Sequence, residues 1–284
     1  MNKRILVTGA HGNIGAMLMR DFDSSLGMII PYAGNILTEN FEHALIGITH
    51  VIHLAALTDV DQSHTNQKKF MEVNFRGFTK IADVCLEKKI KLFFPSTTST
   101  YSSTALVVDE TCTDLNAYSP YGASKLAAEQ YLLKLKKQGL KFVICRLGTI
   151  FGYSPKMRFN TAVNKFIWEA LHQRPLPIWK TAWKQKRPYL ALSDCIDAIN
   201  FILRHNLFDG EIYNILTGNY TVEEVIHTIR EYIPTLTMMV VDSPAMNPLS
   251  YEVSDQKIRS QGFRPKGNLR ADIYETITKF NTSL

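Results

Sequence analysis

The sequence predicts an α/β protein, a doubly wound parallel sheet followed by a smaller mixed C-terminal lobe. Three observations carry that expectation. Through the first two-thirds of the 284 residues, short β-rich runs alternate with amphipathic stretches, the pattern of a parallel sheet covered by helices. Three glycines spaced three apart, Gly9, Gly12 and Gly15, stand directly behind the first apolar run and ahead of the first helical one. From about Phe151 the alternation loosens: Pro155, Pro175, Pro177 and Pro188 break the chain, and Trp168, Trp179 and Trp183 all fall there.

Strands are expected at Arg4 to Thr8, Met28 to Ala33, His50 to Ala55, Lys91 to Ser96 and Phe142 to Leu147, each a short β-branched or aromatic run. Between them Ile14 to Phe22, Gln67 to Leu86 and Pro120 to Lys137 read as helices. The third is punctuated at both ends, with Ser119 as N-cap, Pro120 at the first helical position and Gly139 at the exit. In the second lobe, Thr221-Val-Glu-Glu224 matches a capping box that opens a helix over Val222 to Tyr232. Pro244 and Pro248 punctuate an irregular C-terminal section. No internal repeat or low-complexity segment stands out.

Composition narrows the function classes. With 45% hydrophobic and 20% charged residues the chain suits a globular protein with one large core or two modest lobes, not a disordered one. The net charge of +6 suits an anionic ligand, but the densest basic cluster, Lys180 to Arg187, holds four cations, which argues against nucleic acid. Cys85, Cys112, Cys145 and Cys195 stand far apart without metal-ligand spacing and read as reduced, mostly buried thiols. No apolar stretch reaches bilayer length, and the one behind Lys3-Arg4 is too short for a signal-peptide core, so a cytoplasmic, membrane-free protein is expected.

The glycines give the first chemical reading. Behind a strand, TGAHGNIG (residues 8 to 15) lets the backbone turn tightly and approach a pyrophosphate seated on the helix N-terminus, although a purely structural turn would use glycine too. VIHLAA (51 to 56) is a buried strand ending in small residues, either a plain core strand or one against which a flat ring can lie. FFPSTTSTY (93 to 101) ends in hydroxyls. In SPYGASK (119 to 125), Tyr121 and Lys125 share one helix face; an ammonium beside a phenol lowers the phenol pKa toward neutrality, while the plainer reading is a solvated i,i+4 pair.

Together these motifs, in this order and over nearly the whole chain, resemble the extended short-chain dehydrogenase/reductases, the NAD-dependent epimerase/dehydratase group acting mostly on nucleotide sugars. VNFRGFTKIADVC (73 to 85), PLPIWKTAWKQKRPYLALSD (175 to 194) and GEIYNILTG (210 to 218) are similar to the family's linking segments. The resemblance implies a Rossmann-type NAD(P)-binding domain at 1–152 plus about 187–218 and a substrate-binding lobe at about 153–186 plus 219–284. It implies Thr97, with Ser96 and Thr98 as close alternatives, to bond the reacting oxygen, Tyr121 to exchange its proton and Lys125 to hold the nicotinamide ribose. Cofactor contacts are implied at Gly9, His11, Gly12, Asn13, Ile14 and Gly15, and at Asn35 and Ile36. Further ones fall at Leu54, Ala55, Ala56, Asn74 and Ser96. Substrate contacts are implied at Thr98, Arg158, Asn160 and Arg187, the last near a diphosphate.

Departures from the family pattern refine this. The dehydratases of the family carry Asp-Glu after the threonine, where this chain has Thr98 and Ser99, which argues against a 4,6-dehydratase. Only 35 residues separate Gly15 from Val51, room for one strand instead of two, as in the dTDP-4-dehydrorhamnose reductase branch. A 4-keto-sugar reductase is therefore favoured, with a nucleotide-sugar epimerase that retains NAD as the alternative and a non-catalytic redox-sensing regulator as the reading from another class. Tyr32 to Asn35 offer neither carboxylate nor arginine to the ribose, which leaves NAD and NADP both open. A homodimer through two helices, one of them carrying Tyr121, is the family's common assembly.

Overall fold

The computed structural model describes residues 3–38, 41–242 and 251–281; Pro244 and Pro248 lie outside the described residues. The strands in chain order are β1 (Lys3–Thr8), β2 (Gly27–Tyr32), β3 (His50–His53), β4 (Lys91–Thr97), β5 (Val107–Val108), β6 (Phe142–Leu147) and β7 (Thr149–Phe151). They continue as β8 (Leu176–Trp179), β9 (Lys186–Ala191), β10 (Ile212–Ile215), β11 (Gly218–Thr221), β12 (Met238–Val241) and β13 (Glu252–Val253). The helices used below are α1 (Asn13–Asp21), α2 (Phe41–Ala44), α3 (Val60–Thr65), α4 (Gln67–Met71), α5 (Phe78–Glu87) and α6 (Pro120–Lys136). After them come α7 (Ala162–Leu171), α8 (Leu192–His205), α9 (Val222–Tyr232), α10 (Gln256–Ser260) and α11 (Leu269–Asn281).

Six strands form one parallel sheet in the order β10-β6-β4-β3-β1-β2. One strand, β2, lies between α1 and β3, as the short interval predicts, and it forms the sheet edge. Each sheet face buries its own apolar cluster. Ile5, Val7, Phe93 and Val143 pack with Leu18 of α1 and Ile199 of α8. On the opposite face Leu6, Val51, Phe94 and Ile144 pack with Ile81 of α5 and Leu132 of α6. Near-continuous burial along β3 and β6 is what a strand covered on both sides requires. The expected doubly wound sheet is therefore present.

The remaining strands form small sheets, β11-β9-β7, β12-β8 and β13-β5. A third cluster, with Val163 of α7, Val225 of α9 and Ile273 of α11, supports them. The Thr221/Glu224 capping box is complete, and Ser119 caps α6 by accepting from Gly122 N.

Two elements differ from expectation. The strand expected over His50 to Ala55 stops at His53: Leu54 N still donates to Thr8 O, but the chain then leaves the ladder and Ala55 N donates to the Thr8 side-chain Oγ1. The helix expected over Gln67 to Leu86 contains a π segment at Glu72–Gly77. Its wider turn aims Asn74 inward, where the amide bonds both polar backbone atoms of Leu57 and the Ser124 hydroxyl of α6.

Candidate active site

The C-terminal ends of β1, β3, β4 and β6 lie side by side, with Thr8 opposite His53 and Thr97 opposite Leu147. This is the edge where open α/β sheets bind ligands. Gly9 has φ +70°, and a Cβ there would stand 2.5 Å from Ala55 N; at Gly15 it would stand 2.2 Å from Gly9 O. Packing alone demands those two glycines. Gly12 differs: its φ of −81° suits any residue and it is exposed. As N-cap of α1 it offers no side chain to the first amides, where a Ser or Asp would normally serve. Those amides stay open at the positive end of the helix, and Asn13 Oδ1 beside them is buried without a partner among the described residues. A backbone cradle with open amides fits a dinucleotide pyrophosphate, and His11 and Ile14 flank it.

The other expected cofactor residues are placed unevenly. Leu54, Ala55 and Ala56 are half-buried beside the glycine turn, and Asn74 ties the segment after them to α6. Asn35 is exposed past β2 and accepts from Leu37 N. Ile36 is buried in the core close to Gly77, which turns its side chain away from solvent. Ser96 faces α6 and donates its hydroxyl to Glu129, which leaves its backbone as the part able to meet a cofactor.

The three hydroxyls at the end of β4 are distinguishable. Ser96 serves Glu129, and Thr98, expected to face substrate, is buried and donates to Leu147 O at 3.3 Å. Thr97 accepts from Ser99 N at 3.1 Å, and its hydroxyl proton is uncommitted among the described residues. Helix α6 docks along the same strand end. Lys125 Nζ donates to Pro95 O at 2.8 Å, and a Cβ on Gly122 would stand 3.5 Å from Ser99 O.

The electrostatics differ from the simple pair picture. Lys125 is 3% exposed, 4.6 Å from the Phe94 ring centroid, and burial lowers its pKa to about 7, with Glu129 acting in the opposite sense. Burial pushes the Tyr121 phenol above 10, opposed by the positive charge of Arg158. The depressed tyrosine expected from Lys125 is therefore not found: the lysine is anchored on a strand carbonyl, and the guanidinium is the charge that acts on the phenol. His53, beneath the glycine turn, shares a 2.9 Å hydrogen bond with Thr8 and is held neutral by burial, its pKa about 3.

Of the expected substrate residues, Arg158 reaches back from the second lobe to donate to Thr58 O at 2.9 Å. Arg187 donates to Lys186 O and Gln185 Oε1 and lies 5.3 Å from the ring centroid of Tyr251, whose hydroxyl donates to Thr98 O. Asn160 is exposed and is not drawn in with them. Trp179 is 40% exposed, while Trp183 packs against the third cluster. Sequence reasoning missed Glu129, Arg146, Asn214 and Tyr251. A charge inside the otherwise apolar FVICRL strand, and a glutamate four residues beyond Lys125, were the available signals.

Comparison with known proteins decides the family. The model of the NAD dependent epimerase/dehydratase family matches residues 5–215. The chain belongs to that family. Its enzymes are NAD dependent, which answers the open choice of nucleotide at family level. Among family relatives, an uncharacterized UDP-glucose epimerase, YtcB, of Bacillus subtilis (strain 168) is 33% identical over 64% of this chain. The dTDP-D-glucose 4,6-dehydratase of Dictyostelium discoideum is 32% identical over 76%. The matches span 57% and 58% of those relatives' own lengths. The UDP-glucose 4-epimerase of Thermus thermophilus, solved in complex with NAD, superposes with a TM-score of 0.86 at 25% identity, covering 99% of this chain and 100% of that one.

Proposed function

We propose that this protein is an NAD-dependent epimerase of a nucleotide sugar, working through a transient keto sugar. The observation that carries the proposal is the strand end with one uncommitted hydroxyl, Thr97, along which α6 lays Tyr121 and Lys125. When bound, NAD supplies reversible hydride acceptance from the sugar carbon. The Gly9–Gly15 turn and α1 amides would hold its pyrophosphate, and Lys125 would hold the ribose. Thr97 donates to the reacting sugar oxygen. Tyr121 takes the proton of that oxygen as the carbonyl forms and returns it when the alcohol is restored. Arg158, whose charge favours the phenolate, is placed to support that exchange. Arg187 grips the diphosphate.

Elimination is disfavoured. Where the dehydratase chemistry needs carboxylates, Thr98 and Ser99 stand, and the nearby Glu129 is bound to Arg146. A second reading, a 4-keto-sugar reductase, is favoured by the single strand between α1 and β3. The first proposed test is to release and identify the nucleotide that copurifies with the protein, by mass spectrometry. Retained NAD supports the epimerase, which must regenerate its cofactor in each turnover. Protein that emerges empty but binds NADH or NADPH reversibly overturns it in favour of the reductase; protein that binds none of them overturns both.

A further inference from the structure

A buried polar row crosses the sheet beneath the proposed catalytic strand end. Ser96, Arg146 and Asn214 are register partners on β4, β6 and β10, so they stand side by side on the face that α6 covers. They are 3%, 1% and 0% exposed, and their neighbours toward the strand starts, Phe94 and Ile144, are apolar core. Glu129 of α6, itself 1% exposed, closes the row. Arg146 grips its carboxylate in a fork, Nε to Oε1 at 3.1 Å and Nη2 to Oε2 at 2.7 Å, and the Ser96 hydroxyl donates to Oε1. The guanidinium carbon lies 4.8 Å from the ring centroid of Tyr101, whose hydroxyl donates to Asn214 Oδ1 at 2.9 Å.

Stability alone does not account for this. An apolar pair of similar volume commonly replaces a buried ion pair without loss. What the row achieves is register. Consecutive residues of β4 grip residues one turn apart on α6: the Pro95 carbonyl takes Lys125, and the Ser96 hydroxyl takes Glu129. Thr97 is the next residue of the strand.

We propose that Glu129 is a positioning residue: it locks α6 against β4 so that Lys125 and Thr97 keep one arrangement, and it supplies the negative charge facing the lysine amine. The positioning role rests on the function proposed above; the charge does not. The groups facing Lys125 are Glu129 from α6, His53 from β3, the Phe94 ring and Pro95 carbonyl from β4, and, through Glu129, Arg146 from β6. His53 is neutral near pH 7, so Glu129 is the charge that favours the ammonium form against burial.

The test uses the full chain with the nucleotide it retains. Lysine 13Cε resonances are followed against pH, with Lys125 assigned by its disappearance in Lys125→Arg. The Lys125 midpoint is expected to fall by about one pH unit in Glu129→Gln and to stay in place in Ser96→Ala, which keeps the charge. Should Glu129→Gln fail to fold around an unpaired guanidinium, Glu129→Gln/Arg146→Met removes both charges, and the midpoint is expected to fall by a smaller amount because the cation leaves with the anion. With UDP-glucose as probe, turnover of Glu129→Gln is expected to drop about tenfold with KM within about twofold, as loss of positioning requires. An unchanged midpoint in the folded Glu129 variants overturns the proposal. Absence of retained NAD and of turnover in the parent protein would instead count against the function, and the titration would still decide the role of the charge.

Discussion

The glycine turn and the arginines of the second lobe are built on opposite principles. At the turn, backbone meets backbone: a single methyl at Gly15 would overlap the Gly9 carbonyl at 2.2 Å, and nothing near it is flexible enough to yield. Across the strand ends, Arg158 and Arg187 reach inward on long side chains from loops and from β9, and hold carbonyls, an amide and an aromatic face. The first region recognises by excluding every side chain, the second by extending them. Substitution should therefore break the turn as a fold element but merely retune the arginine side.

Gly15→Ala is the largest expected effect. The new methyl forces the backbone of Gly9 and Ala10 apart, which should cost about 3 kcal/mol in urea unfolding and remove the retained nucleotide. Gly12→Ala sharpens the point, since its methyl meets Gly9 O at 3.2 Å and the backbone there is unstrained. Its stability should stay within about 1 kcal/mol of the parent while nucleotide affinity falls about tenfold or more. Full affinity in Gly12→Ala would remove the case for open helix amides.

Tyr121→Phe comes next. Loss of a general acid-base should reduce turnover by about 10²–10⁴-fold and leave nucleotide retention unchanged, because the phenol belongs to neither the turn nor α1. A fully active variant would sink the mechanism proposed here, because no proton would then pass through the phenol.

The same contrast decides what could be read from the sequence. The glycine turn, the Ser119 cap and the Tyr121–Lys125 spacing are local: each depends on residues a few positions apart, so a one-dimensional pattern records them. The Glu129–Arg146 pair, the hydrogen bond from Tyr251 to Thr98 and the inward turn of Asn74 join residues from 17 to 153 positions apart. Only the packing of helices and loops onto the sheet brings them together. The hydrogen bond of Ser96 to Glu129 was not legible for a related reason: alternation along β4 tells that neighbours face opposite ways, but not which face α6 covers. In the second lobe, proline breaks and short strands such as β8 and β12 carry too little periodicity to predict pairing.

Acid should probe the turn from beneath. His53 has a pKa of about 3 in the folded chain against an ordinary 6.5, so between those values the unfolded state binds a proton that the folded state does not. Stability then falls as pH drops below 6.5, by about 2 kcal/mol between pH 7 and 5 from this group. His53→Asn, which keeps a partner for Thr8, should flatten that part of the pH dependence of unfolding. An equally steep loss in the variant would assign acid sensitivity to other groups and leave the turn out of it.

The smallest effect is expected on the arginine side, where it can also break the comparison. Arg187→Met removes a fork able to grip phosphate oxygens but leaves β9 paired with β7 and β11 through backbone. With UDP-glucose as probe, KM should rise about tenfold, equivalent to about 1.4 kcal/mol, with kcat within about twofold and retained nucleotide unchanged. Arg187→Lys should fall between, since an ammonium keeps the charge without the fork. The informative alternative is a fall in kcat at constant KM. Arg187 lies over Tyr251, and Tyr251 donates to the carbonyl next to Thr97, so such a result would mean that the arginine acts on the strand end by way of Tyr251. The second lobe would then be part of the rigid frame that the glycine turn begins, and not a separately tunable wall.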